Sequence, residues 1–454
     1  MQFQLIRRLG QRQFVTKNVV NVLRDRGILS QVSQPEPALL SRLNAGEKIK
    51  LYCGADPTAK SLHLGNLLPL MILLNFYVRG HDVVALVGGA TGRLGDPSGR
   101  KTERNFVAEE TRLDNVSRIQ AQLSRFFANG LDYYRSKNAD AIPGELTLAN
   151  NLGWWKDVKM LDFLADYGRF IKIQSMLSRD SVSARLGSQQ GLGFNEFTYQ
   201  VLQAYDFYHL YKNHGVTLQV GGSDQWGNIT AGIDFINRVT DPNCLQHAGP
   251  FGITTNLLTT STGEKFGKSA GNAVFIDPTI NSSFSVYQFF LNTTDSDVEK
   301  LLKIFTFLSL QEIGALLAQH FESPHKRVAQ RTLAKEAVNL IHGMGTGSAA
   351  EHVSEILFSD SSTLPQGREL KTMCERAGVL QNCSRNDSLI DVLMKVADIT
   401  RSEARRRLQQ NSIYLGPNRK NITTDLDDLS SYLIDDSILI VRFGKQKCFV
   451  LEMT

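Results

Sequence analysis

Nowhere in its 454 residues does the chain carry an apolar run of bilayer length: the longest, Leu67 to Val78, is broken by Pro69 and Asn75 and falls short of the ~20 residues a spanning helix requires. No membrane partner is expected. Cysteine is sparse: the five (Cys53, Cys244, Cys374, Cys383 and Cys448) are odd in number and scattered, which does not match a zinc site and suits a reduced compartment. No metal ligand set is expected. Repeats and low-complexity tracts are missing too, and a composition of 42% hydrophobic and 21% charged residues excludes disorder and collagen. No acidic residue precedes Asp25, whereas Arg7, Arg8, Arg12, Lys17 and Arg24 stand among apolar and amide side chains. That is the composition of a mitochondrial transit peptide, assigned to residues 1–17 and implying the mitochondrial matrix, with a basic N-terminal arm of the mature protein as the alternative.

At about 150 residues per domain, the length suggests about three units. The formal charge of +5 is modest and favours polyanions only where it is concentrated. Lys48 to Cys53 reads as a strand broken at Gly54-Ala55-Asp56-Pro57-Thr58, Leu67 to Arg79 as a buried helix stopped by Gly80, and Asp82 to Val87 as a second strand. Together they form a βαβ unit, whose parallel sheet binds ligands at one edge. From about Arg104 to Tyr211 the pattern is largely helical and interrupts the sheet; Val216 to Val220 resumes it and ends in Gly221-Gly222. Past Asp277-Pro278, Ser285 to Leu316 and Lys326 to His342 carry helical spacing, and a compact mixed segment begins near Ser388.

Three loops concentrate polar chemistry. Asp56 to Asn66 joins the first strand to its helix, so Thr58, His63 and unpaired backbone N–H groups there face an anion, and Gly65 admits a bulky ligand. Arg93 to Arg104 (RLGDPSGRKTER) sets Arg93, Arg100, Lys101 and Arg104 in a Gly/Pro loop suited to clamping phosphate. Gly263 to Asn272 places Lys265 and Lys268 three apart among glycines. Taken singly, each also fits an ordinary solvated loop, and His63 a structural histidine. Tyr199, Gln203 and Asp206 recur at i, i+4 and i+7 on one helical face, and Gly221 to Trp226 follows a strand; both suit a small polar ligand.

In this order the segments resemble a class I aminoacyl-tRNA synthetase, specifically the tyrosyl-tRNA synthetases of bacterial and mitochondrial type. The HIGH-type signature is His63-Leu64-Gly65-Asn66 and the KMSKS-type signature Lys265-Phe266-Gly267-Lys268-Ser269. Alongside them stand Tyr52 to Thr58, Gly95-Asp96-Pro97-Ser98-Gly99 and Gly222-Ser223-Asp224-Gln225-Trp226-Gly227-Asn228. The resemblance runs from about Val20 to the C-terminus. It implies an α/β, Rossmann-like catalytic domain over 18–284, with a helical dimerisation insertion at about 115–195. It also implies a helical anticodon-contacting domain over 285–377 and a small α+β RNA-binding domain over 388–454.

The same resemblance implies site roles. Tyr52 and Asp206 would hold the phenolic hydroxyl of L-tyrosine, and Asp96, Tyr199 and Gln203 its ammonium group, with Gln219 nearby and Gln225 on the carboxylate. Cys53, Gly221 and Asp224 would contact the ATP ribose, with Gly54, Asp56, Gly65 and Lys268 completing that site. His63 and Thr58 would meet the transferring phosphate; Arg100, Arg104, Lys265, Lys268 and Ser269 would stabilise leaving pyrophosphate, and Mg²⁺ would accompany ATP. Asn66 replaces the second histidine of the signature and keeps an amide donor. In the last segment, Arg401, Arg405, Arg406 and Arg407 on one helix, joined by Arg442, Lys445 and Lys447, would form a positive face for tRNA(Tyr) phosphates. Two rivals remain: an RNA-binding or intron-splicing factor on the same scaffold, and a sibling enzyme for tryptophan, whose pocket would lack the Tyr52 and Asp206 pair. A homodimer is expected.

Overall fold

The computed structural model describes residues 18–99, 102, 107–187, 191–240, 249–261, 268–269, 272–358, 365, 367–444 and 447–454. The expected transit peptide, Arg100, Lys101, Arg104, Lys265 and Lys445 lie outside the described residues, and of Lys268, Ser269 and Lys447 only the backbone is described. The chain forms two compact units: one reaches Ala273 and takes in Lys300–Leu310, and the other comprises Val274–Glu299 and Gln311–Thr454.

The first unit is built on a six-stranded sheet. Its strands are β1 (Leu29–Val32), β2 (Lys50–Ala55), β3 (Asp82–Val87), β4 (Leu146–Asn150), β5 (Leu218–Gly222) and β6 (Phe251–Thr255). They lie in the order β1-β6-β5-β2-β3-β4, all parallel except β1 against β6. β3 is buried from Val83 to Val87, as a strand covered on both faces must be. The helix Leu67–Tyr77 that returns from β2 to β3 is apolar all round and almost wholly buried, hence central; Gly80, at φ +92°, turns the chain out of it. The order makes β2 and β5 neighbours although the chain leaves β2 in one direction and reaches β5 from the other. Such a switch point opens a crevice at the carboxyl ends of the strands.

The stretch from about Arg104 to Tyr211, expected to be largely helical, also carries one strand. The helix Glu109–Arg135 is followed by β4, which pairs in parallel with β3 from Val83↔Leu146 to Val87↔Asn150. LTLAN is short, mixed in polarity and only half buried at the sheet edge, so it leaves no strand periodicity in the sequence.

In the second unit helices precede a five-stranded sheet over Leu380–Met453, ordered with Ile438–Phe443 at its centre. The helices Leu389–Ala397 and Arg401–Gln409 pack on that sheet through a common core including Leu393, Ala404, Leu408 and Leu439. An α/β Rossmann-like unit and a helical, then α+β, unit are the expected fold class. One expectation fails here: Arg442 is only 6% exposed and donates to the Gly416 carbonyl at 2.8 Å. It sits on the central strand beneath its neighbours and contributes nothing to a basic surface.

Candidate functional site

The crevice is lined from both sides. Tyr52 on β2 and Gln219 on β5 are paired across the strands, so their side chains leave the same face. Both are buried, and the Tyr52 hydroxyl and Gln219 Oε1 have no hydrogen-bond partner among the described residues. Native proteins rarely leave two such groups dry and unpaired together unless something else completes them.

Beside Tyr52 lies the helix Phe194–His214; the rings of Tyr52 and Phe207 are 5.4 Å apart. The buried carboxylate of Asp206 accepts three N–H groups: Asn151 Nδ2 at 2.9 Å, Trp154 Nε1 at 2.8 Å and Trp155 Nε1 at 2.7 Å. Burial pushes this carboxyl up to about 7, against the pull of those donors and with a further push from the Asp56 charge. The Tyr52 phenol is pushed upward as well, by burial first and then by Asp206.

Asn151 also donates to Thr91 Oγ1 at 3.0 Å, and Thr91 donates to Asp56 Oδ1 at 2.9 Å. Tyr199 donates its hydroxyl to Asp56 Oδ2 at 2.8 Å. A Cβ on Gly88 would overlap the Asp56 carboxylate and the Thr91 hydroxyl, so glycine is required for that junction to form. Asp56 is thus engaged with both Thr91 and Tyr199.

A second network surrounds Asp96. Its Oδ2 accepts Gln225 Nε2 at 2.7 Å and its Oδ1 the Ser98 amide at 2.9 Å. Gln225 Oε1 accepts Gln203 Nε2 at 3.3 Å and Asn228 Nδ2 at 3.2 Å, while Asn228 Nδ2 also reaches Gln203 Oε1 at 3.0 Å. Asp96, Gln203 and Gln225 are therefore linked directly, with Asn228 bridging the two glutamines. At the end of β5, a side chain on Gly221 would press on Gln225 and Ile229, so glycine lets the next helix, Trp226–Val239, approach the strand.

The HIGH-type segment forms a tight turn at the start of the Leu67–Tyr77 helix. His63 caps it: the Asn66 amide donates to His63 Nδ1 at 3.3 Å, and the His63 amide donates to Asn66 Oδ1 at 3.0 Å. Nδ1 acts as acceptor, so the imidazole proton belongs on Nε2. Asn66 keeps its Nδ2 hydrogens unengaged among the described residues while orienting His63. The preceding loop hangs on the helix Glu109–Arg135: Gln122 Oε1 accepts the Leu62 amide at 2.9 Å, and Asn115 Nδ2 donates to the Pro57 carbonyl at 3.2 Å. Thr58 and Gly54 are exposed at this edge, Gly65 is half-buried, and Cys53 is buried on the opposite face from Tyr52, its thiol raised to about 12 by burial. Asp224 is exposed next to Gly99. Lys268 and Ser269 lie in a two-residue strand paired with Asn272–Ala273.

The polar groups that the motifs did not flag are Thr91, Asn115, Gln122, Asn151, Trp154 and Trp155. A signal existed for one pair: two of the chain's three tryptophans stand side by side.

A switch-point crevice with a histidine-capped turn at its mouth is the architecture of a class I synthetase. Residues 44–359 match the family described as tRNA synthetases class I (W and Y). A mitochondrial tyrosine-tRNA ligase of Saccharomyces cerevisiae is 56% identical over 96% of this chain and 89% of its own. Its counterpart in Drosophila melanogaster is 37% identical over 99% and 97%. The crystal structure of a C-terminally truncated mitochondrial tyrosyl-tRNA synthetase of Aspergillus nidulans superposes with a TM-score of 0.69 at 38% identity, covering 75% of this chain and 94% of that one. The chain belongs to the class I family and, within it, to the tyrosyl-tRNA synthetases.

Proposed function

We propose that the crevice holds L-tyrosine with its phenolic hydroxyl between Tyr52 and Asp206, its ammonium group at Asp96, Tyr199 and Gln203, and its carboxylate at Gln225. The activity is that of a tyrosine-tRNA ligase in mitochondria: ATP and tyrosine give tyrosyl-adenylate and pyrophosphate, and the tyrosyl group passes to tRNA(Tyr). The observation that carries the pocket reading is the buried Tyr52 hydroxyl without a partner beside the ionisable Asp206. A substrate phenol supplies both an acceptor for the first and a further donor for the second, whereas phenylalanine leaves the Tyr52 hydroxyl unpaired and adds no donor to Asp206.

The substrate brings its own nucleophile. A tyrosine carboxylate oxygen attacks the α-phosphorus, the bond to the bridging oxygen breaks, and pyrophosphate leaves with that electron pair. No enzyme base is needed, so the chain's contribution is alignment and charge stabilisation. His63 Nε2–H and Thr58 donate to the transferring phosphate, and Asn66 holds the imidazole in that tautomer. Cys53, Gly221 and Asp224 face the ribose, and Gly54 and Gly65 leave room for the nucleotide. Arg100, Arg104, Lys265, Lys268 and Ser269 neutralise the departing pyrophosphate. Among the described residues no group of three His, Cys, Asp or Glu could hold a metal ion; Mg²⁺ would enter with the ATP phosphates, keeping several of its waters and offsetting their charge.

The segments 285–377 and 388–454 contact tRNA, the latter through Arg401, Arg405, Arg406 and Arg407, and the chain acts as a homodimer through the insertion at about 115–195. Support for the dimer is the row of exposed apolar side chains there: Met160 at 69%, Leu161 at 79%, Ile173 at 64% and Phe194 at 73%. Light scattering on the Leu161→Asp, Phe194→Asp double variant should give half the parent mass; an unchanged mass rejects this face.

Pyrophosphate exchange into ATP, run with tyrosine, phenylalanine and tryptophan side by side, tests the activity. Exchange with tyrosine alone is expected. None with any amino acid, in the presence of tRNA, would favour the splicing-factor scaffold, and exchange with tryptophan would favour the sibling enzyme.

A further inference from the structure

The carboxylate proposed to receive the substrate ammonium, Asp96, is met by one of the protein's own side chains. Asp96 is 6% exposed, and Gln225 Nε2 sits on its Oδ2 at 2.7 Å, a short charge-assisted bond. A carboxylate oxygen is an acceptor only, so the amide must face it with nitrogen. The other end of that amide is a hinge: Gln225 Oε1 is held by Gln203 Nε2 at 3.3 Å and Asn228 Nδ2 at 3.2 Å. Asn228 is itself 4% exposed and on the first turn of the Trp226–Val239 helix, so the hinge is fixed. The terminal torsion of glutamine is soft; because it carries Oε1 with Nε2, the preceding side-chain torsions must adjust for the amide nitrogen to leave Asp96 while Oε1 stays within reach of Gln203 and Asn228.

We propose that Gln225 is a surrogate ammonium whose displacement makes carboxylate recognition conditional on the α-amino group. An arriving –NH₃⁺ outcompetes a neutral amide for Asp96; Gln225 Nε2 is thereby released and donates to the substrate carboxylate, fixing the attacking oxygen. A carboxylic acid without an α-ammonium leaves Gln225 on Asp96 and finds no amide at its carboxylate. The site therefore excludes aryl propionates, which share the phenol and the carboxylate of the amino acid, by withholding the group that aligns the reaction. This inference rests on the tyrosine site proposed above.

The test compares the parent with Gln225→Ala using three ligands: tyrosine, tyramine, which lacks the carboxylate, and 3-(4-hydroxyphenyl)propionate, which lacks the ammonium. Dissociation constants come from calorimetry and activation rates from pyrophosphate exchange. Tyramine should bind about tenfold more tightly to the variant, because no amide has to leave Asp96. The propionate should be unchanged within about twofold, and the exchange rate with tyrosine should fall about tenfold. Tyrosine affinity itself should move little, since one bond is lost and one need not be broken. A propionate weakened together with tyrosine, with tyramine unchanged, would overturn the displacement while keeping the tyrosine site. Unchanged tyramine together with an unchanged exchange rate would reject both. Gln225→Met, closer in volume, must give the same pattern; general loosening would weaken all three ligands and counts against the proposal.

Discussion

Asp206 and Glu403 each receive more than one N–H donor, yet they lie in opposite electrostatic surroundings. Asp206 is buried among Trp154, Trp155, Asn151 and Tyr52, and its neutral donors do not offset the loss of water, so its carboxyl rises to about 7. Glu403 lies on the surface helix Arg401–Gln409, is paired with Arg406 at 2.5 Å and Arg407 at 2.8 Å, and is held below the usual carboxylate range by those two guanidiniums. The first arrangement is pre-built before any ligand arrives and discriminates by what it would leave unpaired. The second is solvated, screened and of little consequence to stability, and its worth lies in the positive charge left over. On the function proposed above, one region would select an amino acid and the other supply attraction for a polyanion.

The sharpest break of this contrast is Asp206→Asn. It removes a hydrogen bond to a charged group and turns an acceptor into an amide that conflicts with the indole donors, about 4 kcal/mol in all. We expect kcat/KM for tyrosine to fall roughly 10³-fold and the preference over phenylalanine to shrink in step. Retained selectivity in exchange assays would remove Asp206 from the pocket.

A second test uses pH. With Asp206 near 7, kcat/KM for tyrosine should rise about tenfold between pH 6 and 8 as the acceptor ionises, and Asp206→Asn should flatten that limb. Stability runs the other way. A carboxyl raised on folding contributes stability that is full below its unfolded value, near 3.8, and is lost as pH climbs through about 7. Chemical denaturation should therefore show the parent losing more stability than Asp206→Asn between pH 5 and 8. A smaller change, Trp155→Phe, keeps the aromatic bulk and deletes one of the two indole donors on Asp206 Oδ1. It should cost severalfold in kcat/KM at pH 7 and move the acid limb upward, because ionised Asp206 loses a partner; an unmoved limb would mean Trp155 only fills space.

The two regions also differ in how far the sequence disclosed them. Tyr52, Asp56, His63 and Gly221 were legible because Tyr52 and Gly221 stand on strands that run into glycine-bearing loops, and Asp56 and His63 in the loop that opens a helix, where local pattern and chemistry coincide. The Arg401–Gln409 helix was legible from its own nine residues. The donors around Asp206 were not: Asn151 is 55 positions away, delivered by an edge strand of mixed polarity that pairs only because β3 is already in place. Arg442 was misplaced for the converse reason. Charge suggested the surface, but its alternate position on the central strand puts it inside, where Nη1 donates to the Gly416 carbonyl and Nε is left without a partner among the described residues.

The least disruptive test concerns the region of leftover charge. Of the four arginines on the Arg401–Gln409 helix, Arg401 is paired with Asp391 at 2.7 Å, and Arg406 and Arg407 share Glu403. Arg405 is exposed and forms no ion pair among the described residues. Its charge is the least compensated, so Arg405→Ala should raise KM for tRNA about threefold and reduce the slope of log affinity against log salt by about 1. Arg406→Ala should do less, because the carboxylate it leaves behind still has Arg407. Tyrosine-dependent pyrophosphate exchange, which needs no tRNA, serves as the internal standard for both variants. If Arg406→Ala weakens tRNA more than Arg405→Ala, the helix reads RNA through paired geometry rather than through net charge, and the contrast with Asp206 narrows to one of solvent exposure alone.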